Sequence, residues 1–85
     1  MEIKLEIPKY SSENGIKYNW TNGFEIKTKV ENDAIIIKAN REGLISLANH
    51  LLNLAQEEIP LGYHCHFDEN NSLEKDSMQV IIQKS

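Results

Sequence analysis

Only one stretch of this chain carries apolar residues at helical spacing, and almost every other apolar run alternates. Leu44, Leu47, Ala48, Leu51, Leu54 and Ala55 recur at i, i+3, i+4, i+7, i+10 and i+11. That spacing predicts one amphipathic helix over residues 41–57 with its stripe laid on a sheet. Asn40 is the expected N-cap, and Pro60 and Gly62 the stop. Gly43 weakens such a helix by up to about 1 kcal/mol, a cost that points to something packing close there. A lone helix among alternating segments confines the chain to an α+β fold. The expected form is an antiparallel sheet of about five strands with the helix on one face, in the order strands, helix, two strands.

The strands are read from period two. Ile3, Leu5 and Ile7 oppose Glu2, Lys4 and Glu6, and Pro8 ends the run. Ser11-Ser12-Glu13-Asn14-Gly15 is a loop by composition, and Ile16 to Trp20 a short strand before the turn at Asn22-Gly23. Phe24, Ile26, Thr28 and Val30 alternate next, Glu31-Asn32-Asp33 turns the chain, and Ala34 to Ala39 forms another strand. Its triplet Ile35-Ile36-Ile37 predicts apolar neighbours on both faces, hence a central position. Beyond the helix, Tyr63, Cys65 and Phe67 alternate with His64 and His66. Asp68 to Ser72 makes a turn, Leu73 to Ser77 a loop, and Met78, Val80 and Ile82 mark the last strand.

Eighty-five residues suit one domain, 1–85, of modest stability. With Cys65 the one cysteine, no intramolecular disulfide forms. The N-terminus has no continuous apolar run, and no segment approaches the ~20 apolar residues that span a bilayer. The expected location is cytoplasmic. Charge is uneven: residues 42–85 hold seven acids against two lysines, a net of −5, whereas residues 1–41 have six acids against six lysines and one arginine, a net of +1. An acidic half disfavours nucleic acid and anionic membrane and suits a basic partner, although on charge alone the plainer reading is that it keeps a small protein in solution.

No phosphate-binding glycine loop, nucleophile elbow or CxxC pair is present. The best candidate for chemistry is Tyr63-His64-Cys65-His66-Phe67-Asp68. His64 and His66 project from one face of a strand, roughly 6–7 Å apart. With Asp68 they could chelate a metal, or serve as an acid–base pair. The plainer reading is a polar sheet surface opposite a covered Tyr63/Cys65/Phe67 face, with Cys65 a small core hydrophobe. His50 is expected at the edge of the helical stripe, on the far side of the sheet from His64 and His66. Ser46 lies off the stripe, towards water. Tyr18 and Trp20, beside Asn22-Gly23, are either a recognition anchor or a plug of the core. Glu57 and Glu58 sit at a helix C-terminus, where the dipole favours cations, and so are either candidates for binding or, the plainer reading, simply solvated.

Three further segments carry a resemblance. Asn40-Arg41-Glu42-Gly43-Leu44-Ile45-Ser46-Leu47-Ala48-Asn49-His50, Gly62-Tyr63-His64-Cys65-His66-Phe67-Asp68 and Asn71-Ser72-Leu73-Glu74 with Val80-Ile81-Ile82-Gln83-Lys84 follow in series. Together they resemble a family of small bacterial immunity proteins from polymorphic toxin systems, over roughly residues 35–84. Cys65 replaces an expected aliphatic residue, and Asp76-Ser77 stands where a Gly-Ser turn would be natural. The resemblance implies capping of a cognate toxin protein by surface occlusion, with no catalysis and no cofactor. The toxin is expected to be basic, and the immunity protein a monomer or homodimer. The acidic half places partner binding on residues 57–76, with Glu57, Glu58, His64, His66, Asp68 and Glu69 as candidates. The alternative is a small metal-binding or regulatory domain using His64, His66 and Asp68.

Overall fold

In the computed structural model, which describes residues 1–13, 15–16 and 18–85, the chain is α+β in the order strands, helix, strands. The expected sheet of five strands is replaced by two antiparallel pairs. β1 (Ile26–Glu31) pairs with β2 (Ala34–Ala39), and β3 (His64–Phe67) with β4 (Val80–Gln83). The helix α1 spans Arg41–Leu54, shorter at its end than expected. The pairs are joined through residues 74–78, which run along the free side of β1. Glu74 N–H donates to Ile26 C=O (2.8 Å) and Met78 N–H to Thr28 C=O (3.0 Å). β2 and β3 are thus left as outer edges.

The β1–β2 hairpin follows from its loop. Asn32 (φ 52°) and Asp33 (φ 63°) both take the left-handed conformation, as a two-residue type I′ turn requires. Register runs from Glu31↔Ala34 to Ile26↔Ala39. Asp76 also has positive φ, 68°. That is the physical reason a glycine would be at ease in this turn. β2 is no central strand, however: Ile35 is 75 % exposed and Ile37 47 %. The helix covers only the Ile26/Ala39 end of this sheet face, and the Val30/Ile35 end lies open.

Two expected strands are absent. Residues 2–7 and the described part of 16–20 form no ladder, although both lie against the helix; the parts of those expectations that fall on Asn14 and Lys17 lie outside the described residues. Their backbones are held by helix side chains instead. Ser46 Oγ accepts from Thr21 N–H (2.9 Å), and Asn49 Nδ2 donates to Glu6 C=O (3.1 Å). Asn53 Nδ2 donates to Asn49 Oδ1 (2.8 Å) and to Asn49 C=O (2.8 Å). Gln56 brackets the next turn of chain, accepting from Tyr10 N–H (2.9 Å) and donating to Pro8 C=O (3.1 Å).

This polar row at 46, 49, 53 and 56 reverses the expected orientation of the helix. Ser46, Asn49, His50 and Asn53 are buried, while Leu44 is 57 % exposed, Leu51 48 %, and Ala55 also faces solvent. Only Leu47 and Leu54 of the leucine stripe join the core with Ile26, Ile59, Cys65, Phe67 and Leu73. The reason is that irregular backbone cannot satisfy itself. Its N–H and C=O groups need partners once buried, and a helix packed on such segments must present polar side chains.

Asn40 caps the helix as expected and does more. Its Oδ1 accepts from Gly43 N–H (2.8 Å) and from Glu25 N–H (3.0 Å), and its Nδ2 donates to Gly23 C=O (2.9 Å). Asn40→Ala is expected to lose about 1–2 kcal/mol in urea unfolding, at the upper end of a normal cap. A loss below a few tenths of a kcal/mol would show that these bonds are replaced by water. At the other end Lys84 Nζ donates to Ile59 C=O (3.0 Å) and to Gln56 C=O, placing a cation where the dipole favours one.

Candidate functional site

Alternation along β3 places His64 and His66 outward and Cys65 and Phe67 inward, as the sequence predicts. The two imidazoles lie 4.8 Å apart, centroid to centroid, closer than extended geometry alone implies. Their tautomers differ because their neighbours differ. His64 Nδ1–H donates to Gly62 C=O (3.1 Å), leaving Nε2 as an acceptor in the neutral ring. Gln79 Nε2 donates to His66 Nδ1 (3.1 Å), so the neutral ring carries its proton on Nε2. The pair therefore offers an approaching surface one acceptor and one donor.

The other candidates divide into free and engaged. Glu57 and Glu58 are exposed in the turn after the helix. Asp68 is partly buried and works as a turn residue: its Oδ1 accepts from Asn70 N–H (2.9 Å), and its carbonyl collects the N–H groups of Asn71, Ser72 and Leu73. Glu69 Oε2 accepts from Asp76 N–H (2.9 Å), tying the two ends of the acidic loop. Among the described residues, no three His, Cys, Asp or Glu side chains are grouped so as to hold a metal. Asp68 is directed into its own turn rather than beside the imidazoles.

His50 is where the structure departs furthest from expectation. It is 2 % exposed, and neither ring nitrogen has a hydrogen-bond partner among the described residues. Its ring stacks on Tyr18 (centroids 4.0 Å, 5° between planes) and meets Trp20 at 4.0 Å and Phe67 at 5.3 Å. Nor is it segregated from the histidine strand. A cavity of about 300 Å³ is lined by Tyr18, Trp20, His50 and Asn71 together with β3 residues that include both His64 and His66. Residues from both faces of β3 reach it because, among the described residues, that strand pairs only with β4. Trp20 serves the core as well, stacking on Phe24 at 4.5 Å and meeting Phe67 edge-on.

Burial dominates the electrostatics here. It lowers the His50 pKa from 6.5 to about 4, so the ring is neutral at physiological pH. Burial, with the Tyr18 hydroxyl hydrogen-bonded to the Cys65 thiol, pushes the Tyr18 phenol well above its ordinary value. Both rings are held uncharged. The exposed acids and the His64/His66 pair are therefore the parts of this region that present charge or free hydrogen-bonding groups. Helical periodicity could have found His50 only if Ser46, Asn49 and Asn53 had been read as the buried face.

Among the described residues no helix is long and apolar enough to cross a membrane. No curated protein and no solved structure matches the chain. A family model does, over residues 34–85, from the start of β2 to the C-terminus: it is that of Immunity protein 32. With more than half of its length inside that match, the chain belongs to the Immunity protein 32 family.

Proposed function

We propose that this protein binds a cognate bacterial toxin domain in the cytoplasm and neutralises it by covering its surface, without catalysis. Family membership is the observation that carries the reading, since an immunity protein implies a toxin partner. The surface chemistry supports it. Glu57, Glu58, His64, His66, Asp68 and Glu69 belong to the half of the chain with a net charge of −5, and all but the partly buried Asp68 are exposed. Such an excess of acids steers a basic partner and raises the rate of encounter. The His64/His66 pair adds directional hydrogen bonds on a rigid strand, where little ordering entropy is lost.

The first test is genetic. Expression of the open reading frame adjacent to this one should arrest growth, and co-expression of this protein should restore it. A neighbour that is harmless by itself would end the immunity reading. The second test concerns the face. Glu57→Lys with Glu58→Lys should slow association with the toxin at least about tenfold at low ionic strength. Because surface charges are screened, the difference should largely vanish in 0.5 M salt, roughly a 4 Å Debye length. An unchanged rate at low salt would move the interface elsewhere on the molecule.

A further inference from the structure

The second sheet edge, β2, is unprotected. Edge strands are usually shielded by proline, bulges or several charges. β2 has the sequence Ala-Ile-Ile-Ile-Lys-Ala, pairs among the described residues on one side only, with β1, and carries one lysine. Hairpin geometry says which of its groups are free. Glu31 and Ala34 flank a two-residue loop and close it as a hydrogen-bonded pair. Further along the same alternation, Asn40 N–H donates to Glu25 C=O (3.1 Å). Even-numbered residues of β2 therefore bond to β1, and Ile35, Ile37 and Ala39 direct their N–H and C=O outward. The side chains of Ile35 and Ile37 share the sheet face of Ile26 and Ala39: Ile35 lies at its open end beside the exposed Val30 and Met78, and Ile37, nearer the helix, is still 47 % exposed.

We propose that a second copy of this chain adds across β2, antiparallel, with the two-fold axis through Ile36. This inference does not depend on the toxin reading. In an antiparallel pair, opposite residues point to the same side, so odd positions must face odd positions when both apolar faces lie together. An axis through Ile36 sets Ile35 opposite Ile37 of the second copy, and Ile37 opposite its Ile35. These are the residues whose backbone groups point outward, so each pair exchanges both ladder bonds. Ile36 meets Ile36 on the other face as a non-hydrogen-bonded pair.

Charge selects this register over its nearest rival. With the axis on Ile36, Lys38 falls opposite Ala34, whose ladder partner in its own hairpin is Glu31. The small Ala34 side chain lets the ammonium reach towards that carboxylate, which Lys29 already holds at 2.8 Å. With the axis on Ile37, Lys38 would fall opposite Ile36, whose ladder partner is Lys29. Lys38 already faces Lys27 in its own hairpin, so this register would bring a third lysine into the row, where the Ile36 register brings Glu31, and like charges across a sheet are unfavourable. A toxin strand could also use an open edge, but nothing about it would require this internal complementarity.

Sedimentation equilibrium of the full chain should show concentration-dependent dimers, with Ile37→Lys weakening association at least about tenfold. A position-specific test uses the axis. Non-hydrogen-bonded partners have Cα atoms about 4.5 Å apart, within disulfide range. Ile36→Cys should therefore cross-link between copies under oxidised glutathione, and Lys38→Cys should not, while Cys65 is buried in both. Circular dichroism melts of each variant establish that the fold persists. A strictly monomeric protein, or equal cross-linking at positions 36 and 38, would overturn the proposal. So would loss of toxin binding in Ile37→Lys without any change in self-association, which would assign the edge to the toxin.

Discussion

Between pH 7 and pH 4 the protein should lose about 3 kcal/mol of stability through His50 alone, and His50→Phe should abolish that loss. Burial holds the folded-state pKa at about 4, against 6.5 in the unfolded chain. Below pH 6.5 the unfolded chain takes up a proton that the native state refuses, so stability falls as the pH drops. The contribution is complete above about pH 6.5 and is lost progressively down to pH 4. A gap of about 2.5 pKa units at 1.36 kcal/mol each gives the magnitude. In a chain of this size that is a fall in melting temperature of roughly 10–20 °C. Phenylalanine keeps the stacking with Tyr18 and Trp20 and removes two ring nitrogens that have no partner among the described residues. Replacing unsatisfied polar atoms by apolar ones is neutral or stabilising, so the variant should equal or exceed the parent at pH 7. Urea midpoints of both proteins at pH 4.5 and pH 7 decide the matter, since every other titrating group is common to the pair. Parallel losses in the two would mean that His50 finds a partner or water in solution.

The same residue shows where sequence reading stops. Period two identified the β1–β2 hairpin, its turn and both of the later strands, because those segments pair with neighbours close in sequence or meet across one clear core face. Asn40 was legible as a cap for the same local reason. The N-terminal third was not legible, although Ile3, Leu5 and Ile7 alternate. Whether an extended segment becomes a strand depends on a free edge within reach, and here the segment lies against helix side chains instead. That choice then inverted the helix. A leucine stripe predicts burial when the neighbour is a sheet whose backbone is already satisfied. Against irregular backbone, the polar groups of Ser46, Asn49 and Gln56 are worth more than leucine, and Leu44 and Leu51 are left outside. The candidate site was half legible: His64 and His66 fall on the expected face, whereas Asp68 is spent on its own turn and His50 joins the same cavity from across the fold.

Gly43→Ala, a change that improves almost any helix, should here destabilise the protein by about 2 kcal/mol. Alanine favours a helix interior over glycine by up to about 1 kcal/mol, and nothing in the helix itself opposes it. The opposition comes from β1. A Cβ at this position would stand 2.5 Å from the Glu25 carbonyl oxygen, 2.9 Å from Ile26 Cγ1 and 3.1 Å from Asn40 Oδ1. None of these can yield cheaply. The Glu25 carbonyl accepts from Asn40 N–H, Ile26 is fully buried, and Asn40 Oδ1 is the cap acceptor for Gly43 itself. Forcing a methyl into such a contact costs about 3 kcal/mol, and the propensity gain offsets only a third of it. The damage should also be directed. Moving Glu25 opens the junction between β1 and the helix start, so amide exchange should accelerate first at Glu25, Asn40 and Gly43 and only later in β3 and β4. Arg41→Ala, two residues earlier on the exposed side, should change stability by less than about 0.5 kcal/mol. A melting temperature raised by Gly43→Ala would mean that helix and hairpin do not approach this closely, and the cap network around Asn40 would fall with that conclusion.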